Sequence, residues 1–410
     1  MSVGAPSARQ SGDPDAGGKG RPPVSLLRAH SEMNPEKNSG LEGAKPVYLA
    51  TAGKFHAFSL ASEYARRGRL GRLFSAYHTL KPPPHVPLRR FANHLPLALW
   101  QDFGVRIPGT RFTIERKAEV FDRWLERRLR DVPGAIFHGW NWHVSRTLHS
   151  LRGKGWLRCV ERSCPDNMYQ HRILLEESKR TGVPYHYDEA LLRQQHEELY
   201  EADVIVAPSS YSLNSYSDPV LQKKVRVNSL GANLELVDVP RRSPDPLRVL
   251  CVGNDFLRKG ICDLGEAFAR VPDRNAELWI RGCVPPEYSG KIKDARIQIL
   301  PAVTRSRLQE LYRWANVFCL PSVDEGFGMV VLEALAFGLP VVVTEHVGCR
   351  DVLDERVAIT VPIRDSRALA EAVQRARSLV GDGFEAARRE ILARTTWAAC
   401  AERMLGEVYG

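Results

Sequence analysis

The chain has 410 residues, too many for one ordinary core and suited to two domains of roughly 150 to 200 residues each. With 43% hydrophobic and 26% charged residues it is a globular sequence, not a disordered one, and no run approaches the ~18 consecutive apolar residues a membrane-spanning helix needs. The net charge of +10 asks for a polyanionic contact, either a phosphorylated substrate or anionic lipid headgroups. Nucleic acid is excluded as a partner because no zinc finger, RNP motif or basic stripe interleaved with stacking aromatics is present.

Residues 1–44 are rich in Gly, Pro, Ser, Asp and Lys without apolar periodicity and read as a disordered tail, with Met33 a candidate start. The single Asp-x-Asp of the chain, Asp13-Pro14-Asp15, falls in this tail, where it cannot preorganise a metal site. No secretory h-region is present, and the eight cysteines contain no C-x-x-C pair, several lying in apolar runs. They read as reduced packing residues of a cytoplasmic protein.

From Val47 onward short apolar runs alternate with helical patterns. VYLAT (47–51), AIFHGW (135–140), ADVIVAPS (202–209) and KVRVNSLG (224–231) are the clearest strands of a first unit. Between them, residues 80–130 are proline-broken and apolar-basic. They end in an amphipathic helix whose Phe112, Val120, Phe121, Trp124, Leu125 and Leu129 share one face while Arg111, Arg116, Lys117, Arg127 and Arg128 stay solvated. A surface helix packed on the sheet is the simplest reading; contact with a membrane surface or an anionic acceptor is the alternative.

VDVPRRSPDP (237–246) is a linker, and a second unit repeats the alternation: LRVLCVGN (247–254), ELWIRG (277–282), IQILPA (297–302), NVFCLPS (316–322), PVVVTE (340–345) and AITVP (358–362). The fold class expected is α/β, two Rossmann-like parallel-sheet domains facing across a cleft: a first domain at 45–236 and a second at 247–390. A C-terminal helix at 391–410 is expected to pack back on the first domain.

The richest constellation runs from Asn316 to Thr344: a buried strand, the turn VDEGFG, the helix MVVLEALAF, a stop at Gly338-Leu339-Pro340 and another buried strand. Gly326 and Gly328 allow close backbone approach to a ligand, and the amides opening the helix suit an anionic group such as a diphosphate. Glu325 before the helix and Glu333 one turn inside it can each accept hydrogen bonds from a different hydroxyl-bearing end of one ligand.

A second signal is CVGNDFLRKG (251–260), in which Gly253 ends a strand and Asn254, Arg258 and Lys259 follow; two cations there can neutralise a leaving diphosphate, and their opposition to the helix dipole wants a reason. In the first unit FHGWNWHVS (137–145) offers His138 and His143 at a strand end, VERSCPDNMYQ (160–170) offers Arg162 and Ser163, and TAGKFH (51–56) carries Gly53 at a strand-helix junction. A structural role is the competing reading for each of these. No G-x-G-x-x-G follows the first strand, which argues against a nicotinamide dehydrogenase.

The run P-S-x-x-E-G-F-G-x-x-x-L-E-A-x-A-x-G-x-P-V-V resembles the donor-site signature of retaining glycosyltransferases of family 4, which have the two-domain GT-B fold. The resemblance implies transfer of a sugar, with retention, from a nucleotide-sugar donor, a UDP- or GDP-sugar; the basic, apolar segment 80–130 and the net charge point to a glycan or lipid-linked acceptor in cell-surface polysaccharide or lipopolysaccharide synthesis. The resemblance also implies that Glu325 contacts the transferred sugar, that the Gly326-Phe327-Gly328 backbone lies near it or the phosphates, and that Glu333 binds the ribose.

Lys259 matches the family's lysine and Asn254 stands where the family carries arginine, so Arg258 is expected to supply the missing charge. His143, with Glu325, is expected to fix the sugar ring. Neither a metal nor another cofactor is expected, and the inner face of the membrane is a second expected contact. A GT-B-like epimerase or phosphorylase, or a catalytically silent nucleotide-sugar-binding protein, is the alternative.

Overall fold

Strands that carry β-branched residues on both faces have to be covered on both sides. The computed structural model meets that requirement with two sheets, each with helices on both faces. It describes residues 44–53, 56–77, 79, 81–103, 114–238, 243–285, 288 and 294–410. The expected tail, apart from Ala44, Arg111 and Phe112 of the basic segment and the middle of the linker all lie outside these residues. Lys45–Gly410 form one compact unit.

The first sheet has seven strands: β1 (Val47–Thr51), β2 (Leu70–Ser75), β3 (Phe91–Asn93), β4 (Ile136–Trp140), β5 (Leu157–Glu161), β6 (Val204–Ala207) and β7 (Val225–Val227). Their spatial order is β3-β2-β1-β4-β5-β6-β7. The second has six: β8 (Arg248–Val252), β9 (Glu277–Arg281), β10 (Ile297–Leu300), β11 (Val317–Leu320), β12 (Val341–Thr344) and β13 (Ala358–Val361), in the order β10-β9-β8-β11-β12-β13. Every pairing is parallel. These are the two parallel-sheet α/β domains expected from the alternating pattern, the arrangement that the family resemblance implies as GT-B. The strands absent from the clearest set are β2, β3 and β5: β2 and β3 lie at one edge and carry Gly71, Arg72 and Asn93, while the central β5 carries Arg158 and Glu161, and these residues blur the apolar signal.

Strand order reverses at β1/β4 in the first sheet and at β8/β11 in the second. The loops leaving those strands diverge there and open a crevice at the C-terminal edge. The loops after Thr51 and Trp140 leave one switch point, and those after Val252 and Leu320 leave the other.

Helix ends follow local chemistry. Asp166 caps Asn167–Thr181 by accepting from the Met168 and Tyr169 amides, and Gly182, in left-handed geometry, ends it. That helix leaves the first domain: its Ile173 and Leu174, with Val183, are buried in the core formed by Val249, Phe256, Leu264 and Val317 of the second. In the Ile114–Leu129 helix Phe121, Leu125 and Leu129 are buried, while Arg116, Arg127 and Arg128 are exposed.

The expected boundary at 390/391 falls inside the helix Asp382–Arg394, and the chain breaks instead at Thr395–Thr396. Beyond it, the Trp397–Arg403 helix packs against Ala57–Arg66 of the first domain. Arg67 donates to the Ala398 carbonyl at 3.1 Å and Ala232 to the Thr395 carbonyl at 2.6 Å.

Candidate functional site

At the β8/β11 switch point the two loops are tied together by their backbones, Val323 N–H donating to the Arg258 carbonyl at 2.9 Å. This places Arg258 and Lys259 against Glu325. Glu325 Oε2 accepts from Arg258 Nη1 at 3.1 Å and from Lys259 Nζ. Lys259 is 7% exposed, so the pair is no solvated helix start. Burial works against the Glu325 charge, but Lys259 and Arg258 prevail and hold the carboxyl below its ordinary range.

Gly253 has a local reason to be glycine: a Cβ there would come within 2.8 Å of the Lys259 stem, which lies across it. Arg258 is fixed by the Asp324 carbonyl at 3.2 Å, Asp255 at 3.5 Å and Glu325. Asn254 instead accepts from Arg281 Nη1 at 2.8 Å.

The close approach at Gly326 is to the first domain. A Cβ there would collide with the Ser163 carbonyl and Cys164 Cα, and its own carbonyl accepts from Ser209 Oγ at 2.8 Å. Phe327 is a core residue, 2% exposed. Gly328 opens the Met329–Ala336 helix at φ 95°, a left-handed geometry that excludes most side chains. On that helix Glu333 accepts from Tyr312 Oη at 2.9 Å, and burial raises its carboxyl.

Asp324, which sequence reasoning passed over, is fully buried between the domains. Gln170 Nε2 donates to it at 2.6 Å and Tyr211 Oη at 2.8 Å, and burial holds its carboxyl above its ordinary range.

Of the first-domain residues expected at the site, Ser163 reaches the second domain, and the contacts of Arg162 stay within the first. The Ser163 carbonyl abuts Gly326, while Arg162 is held by the Pro165 carbonyl at 2.7 Å and Asn141 Oδ1 at 3.1 Å. Gly53 closes its turn on Thr51 Oγ1 at 3.3 Å.

Two histidines depart from expectation. His138, expected at the cleft, is fully buried and stacked on Trp140, with its ring nitrogens next to Tyr409 Oη and, at 3.2 Å, Glu161. It points along the sheet face that the C-terminal segment covers. His143 lines a cavity of about 430 Å³ with Arg116, Asp122, Trp142, Gln194 and Glu198. Among the described residues no second-domain side chain lines it, so His143 is not brought to Glu325. Burial, with Lys117 nearby, lowers its pKa to about 4, leaving a neutral imidazole at neutral pH.

The loop around His143 is held by Glu198, which accepts from Trp142 N–H at 2.6 Å, Val144 N–H at 3.2 Å and Asn141 Nδ2 at 3.1 Å. Sequence reading also missed His56, whose Nε2 meets Glu161 and whose ring stacks on Trp397. The only signal for His56 was its place after the first strand. Among the described residues no group of three or more His, Cys, Asp or Glu could hold a metal ion, no helix is long and apolar enough to cross a membrane, and all eight cysteines are free.

Residues 246–378 match the family model described as Glycosyl transferases group 1. The D-inositol 3-phosphate glycosyltransferase of Xylanimonas cellulosilytica is 25% identical over 426 residues, covering 95% of this chain and 96% of that one. The like-named protein of Mycobacteroides abscessus is 36% identical over 116 residues, 28% of this chain and 26% of its own length. Sucrose-phosphate synthase from Thermosynechococcus elongatus superposes with a TM-score of 0.66 at 21% identity, over 89% of this chain and 98% of that one, a likeness of fold.

Proposed function

We propose that the chain, whose residues 246–378 match the glycosyl transferases group 1 model, moves a hexose, with retention, from a UDP- or GDP-sugar to a glycan or lipid-linked acceptor. The observation that carries this reading is Glu325 paired to both Arg258 and Lys259 at the switch point of the second sheet. An incoming diphosphate competes for the two cations and releases the carboxylate, which then accepts hydrogen bonds from the sugar hydroxyls. Glu333 and the backbone at Gly326-Phe327-Gly328 complete the donor contacts, the former toward the ribose.

In the transfer step the bond from the anomeric carbon to the diphosphate oxygen breaks and a bond to the acceptor oxygen forms on the same face. The transition state is oxocarbenium-like, and the acceptor's proton passes to the departing diphosphate. Arg258 and Lys259 stabilise the charge that develops there.

The acceptor in this reading belongs to cell-surface glycan synthesis at the cytoplasmic face of the membrane. Leu88, Leu95 and Leu99 are 70%, 37% and 52% exposed beside Arg89 and Arg90, a pairing of apolar and cationic groups suited to an anionic bilayer surface. A second reading, a phosphorylated cyclitol as acceptor, is favoured by the names of the two relatives.

Thermal-shift screening with UDP- and GDP-sugars tests the donor: a saturable rise in melting temperature with one of them supports the reading, and no shift with any removes it. Product analysis with that donor, offered glycans and inositol phosphates separately, decides between the acceptors.

A further inference from the structure

β9 runs parallel to β8 with Arg281 opposite Val252, and Gly253 N–H donates to the Arg281 carbonyl at 2.9 Å. Arg281 therefore leaves the sheet at the level of the 253–260 loop. The next residue must be small, since a Cβ at Gly282 would overlap the Gly253 carbonyl, and this contact fixes the direction in which the Arg281 side chain departs.

The guanidinium of Arg281 is held by one neutral acceptor, Asn254 Oδ1, at 2.8 Å. Its Nε is buried with no hydrogen-bond partner. Among the described residues it has no carboxylate within ion-pair distance, whereas Arg258 and Lys259 both share Glu325. Its charge reaches the neighbouring ribose-side pair: burial and Glu333 raise the Tyr312 phenol well above its ordinary range, and Arg281 pulls the other way. A cation with open donors thus stands between the Lys259 loop and the Tyr312–Glu333 pair.

We propose that Arg281 is a third cation of the donor site, contacting the diphosphate of the nucleotide sugar, and that Asn254 positions it. This rests on the donor reading above. A diphosphate carries more negative charge than the single net positive charge left when two cations share Glu325, and a guanidinium paired only with a neutral amide oxygen keeps its full charge and its Nη2 donors for a phosphate oxygen. The identity of Asn254 follows from the same geometry. Aspartate would close an ion pair and cancel the charge, and arginine would set two guanidinium groups against each other.

The test is calorimetric titration of the full chain with UDP and GDP and with the matching nucleosides, uridine and guanosine, on wild type, Arg281→Gln, Arg281→Lys and the double variant Arg281→Gln with Asn254→Arg. Arg281→Gln is expected to weaken the preferred nucleoside diphosphate about 10- to 100-fold, the scale of charge-assisted hydrogen bonds, with nucleoside affinity unchanged. Arg281→Lys is expected to lose less, and the double variant to recover most of the loss.

Equal diphosphate affinity in wild type and Arg281→Gln overturns the proposal while leaving the donor reading intact. So does an equal loss for nucleoside and diphosphate, which marks a structural role. If wild type binds neither diphosphate, the donor reading itself fails and this assignment with it.

Discussion

The hydroxyl of Ser209 donates to the carbonyl of Gly326 at 2.8 Å, so a helix cap of the first domain holds the turn that carries Glu325 in the second. The Ser212 hydroxyl stands behind it at 3.4 Å. Ser209→Ala is expected to cost about 1–3 kcal/mol, because the buried carbonyl keeps only the longer contact. Urea unfolding measures it, and an unchanged midpoint would show that the turn holds itself.

Gly326→Ala should be worse than its size suggests, since the added methyl meets the Ser163 carbonyl and Cys164. The nearest contact would be 2.3 Å, to backbone, so one of the two loops has to give way at a cost of about 1–3 kcal/mol or more, and the Glu325 carboxylate moves with the turn. Sugar transfer is expected to fall more than stability. Donor turnover measured beside the melting temperature separates the two effects.

Glu325→Gln keeps the shape and removes the charge that Arg258 and Lys259 share. Transfer should drop at least about 100-fold, while nucleoside diphosphate binding is retained or tightened because the cations lose their internal competitor. Lys259→Ala should reduce transfer and diphosphate binding together. Full activity in either variant removes the role proposed for that residue.

Glu198 gives a pH dependence with a definite sign. Burial raises its pKa to about 7 from an ordinary 4.5, against the Trp142 and Val144 amides that stabilise its charge. Between those values the folded state binds the proton and the unfolded state does not. Its contribution is therefore fully present below pH 4.5 and is lost as pH rises through 7. Asp122, raised to about 6 by burial, acts in the same sense. Glu198→Gln should flatten the decline in melting temperature over that window, and a slope unchanged from wild type would place the titration elsewhere.

The C-terminal Tyr409 hydroxyl reaches both His138 Nδ1 and, at 3.2 Å, Tyr64 Oη. Tyr409→Phe keeps the packing and leaves His138 Nδ1 buried without that partner, an expected loss of about 1–3 kcal/mol. Chemical denaturation followed by tryptophan fluorescence reads it, helped by Trp140 stacked on His138 and Trp397 on His56.

Much of the donor half was legible before any coordinates. The runs RVLCV, VFCL and VVVT could only be strands covered on both faces, and DEGFGMVVLE between two of them had to be a turn entering a helix. The histidines were less readable. A strand-end histidine looks the same in sequence whether it faces a cleft or a covering segment, and His138 turned out to face Tyr409, 271 residues away. The first-domain strands β2 and β3 were hidden by edge residues that need little apolar pattern.

Periodicity, glycine placement and the charged loop act through neighbours along the chain, so the sequence by itself determined the fold class, the two units and the turn that carries Glu325. Strand order and the return of the C-terminal segment decided the rest. They brought Arg258 and Lys259 to a carboxylate 67 and 66 residues on, set Arg281 against Asn254 across 27 residues, and set His143 in a first-domain cavity beside Asp122 and Glu198. Such pairings depend on which strands lie side by side and which helix crosses between domains, and no local pattern encodes that.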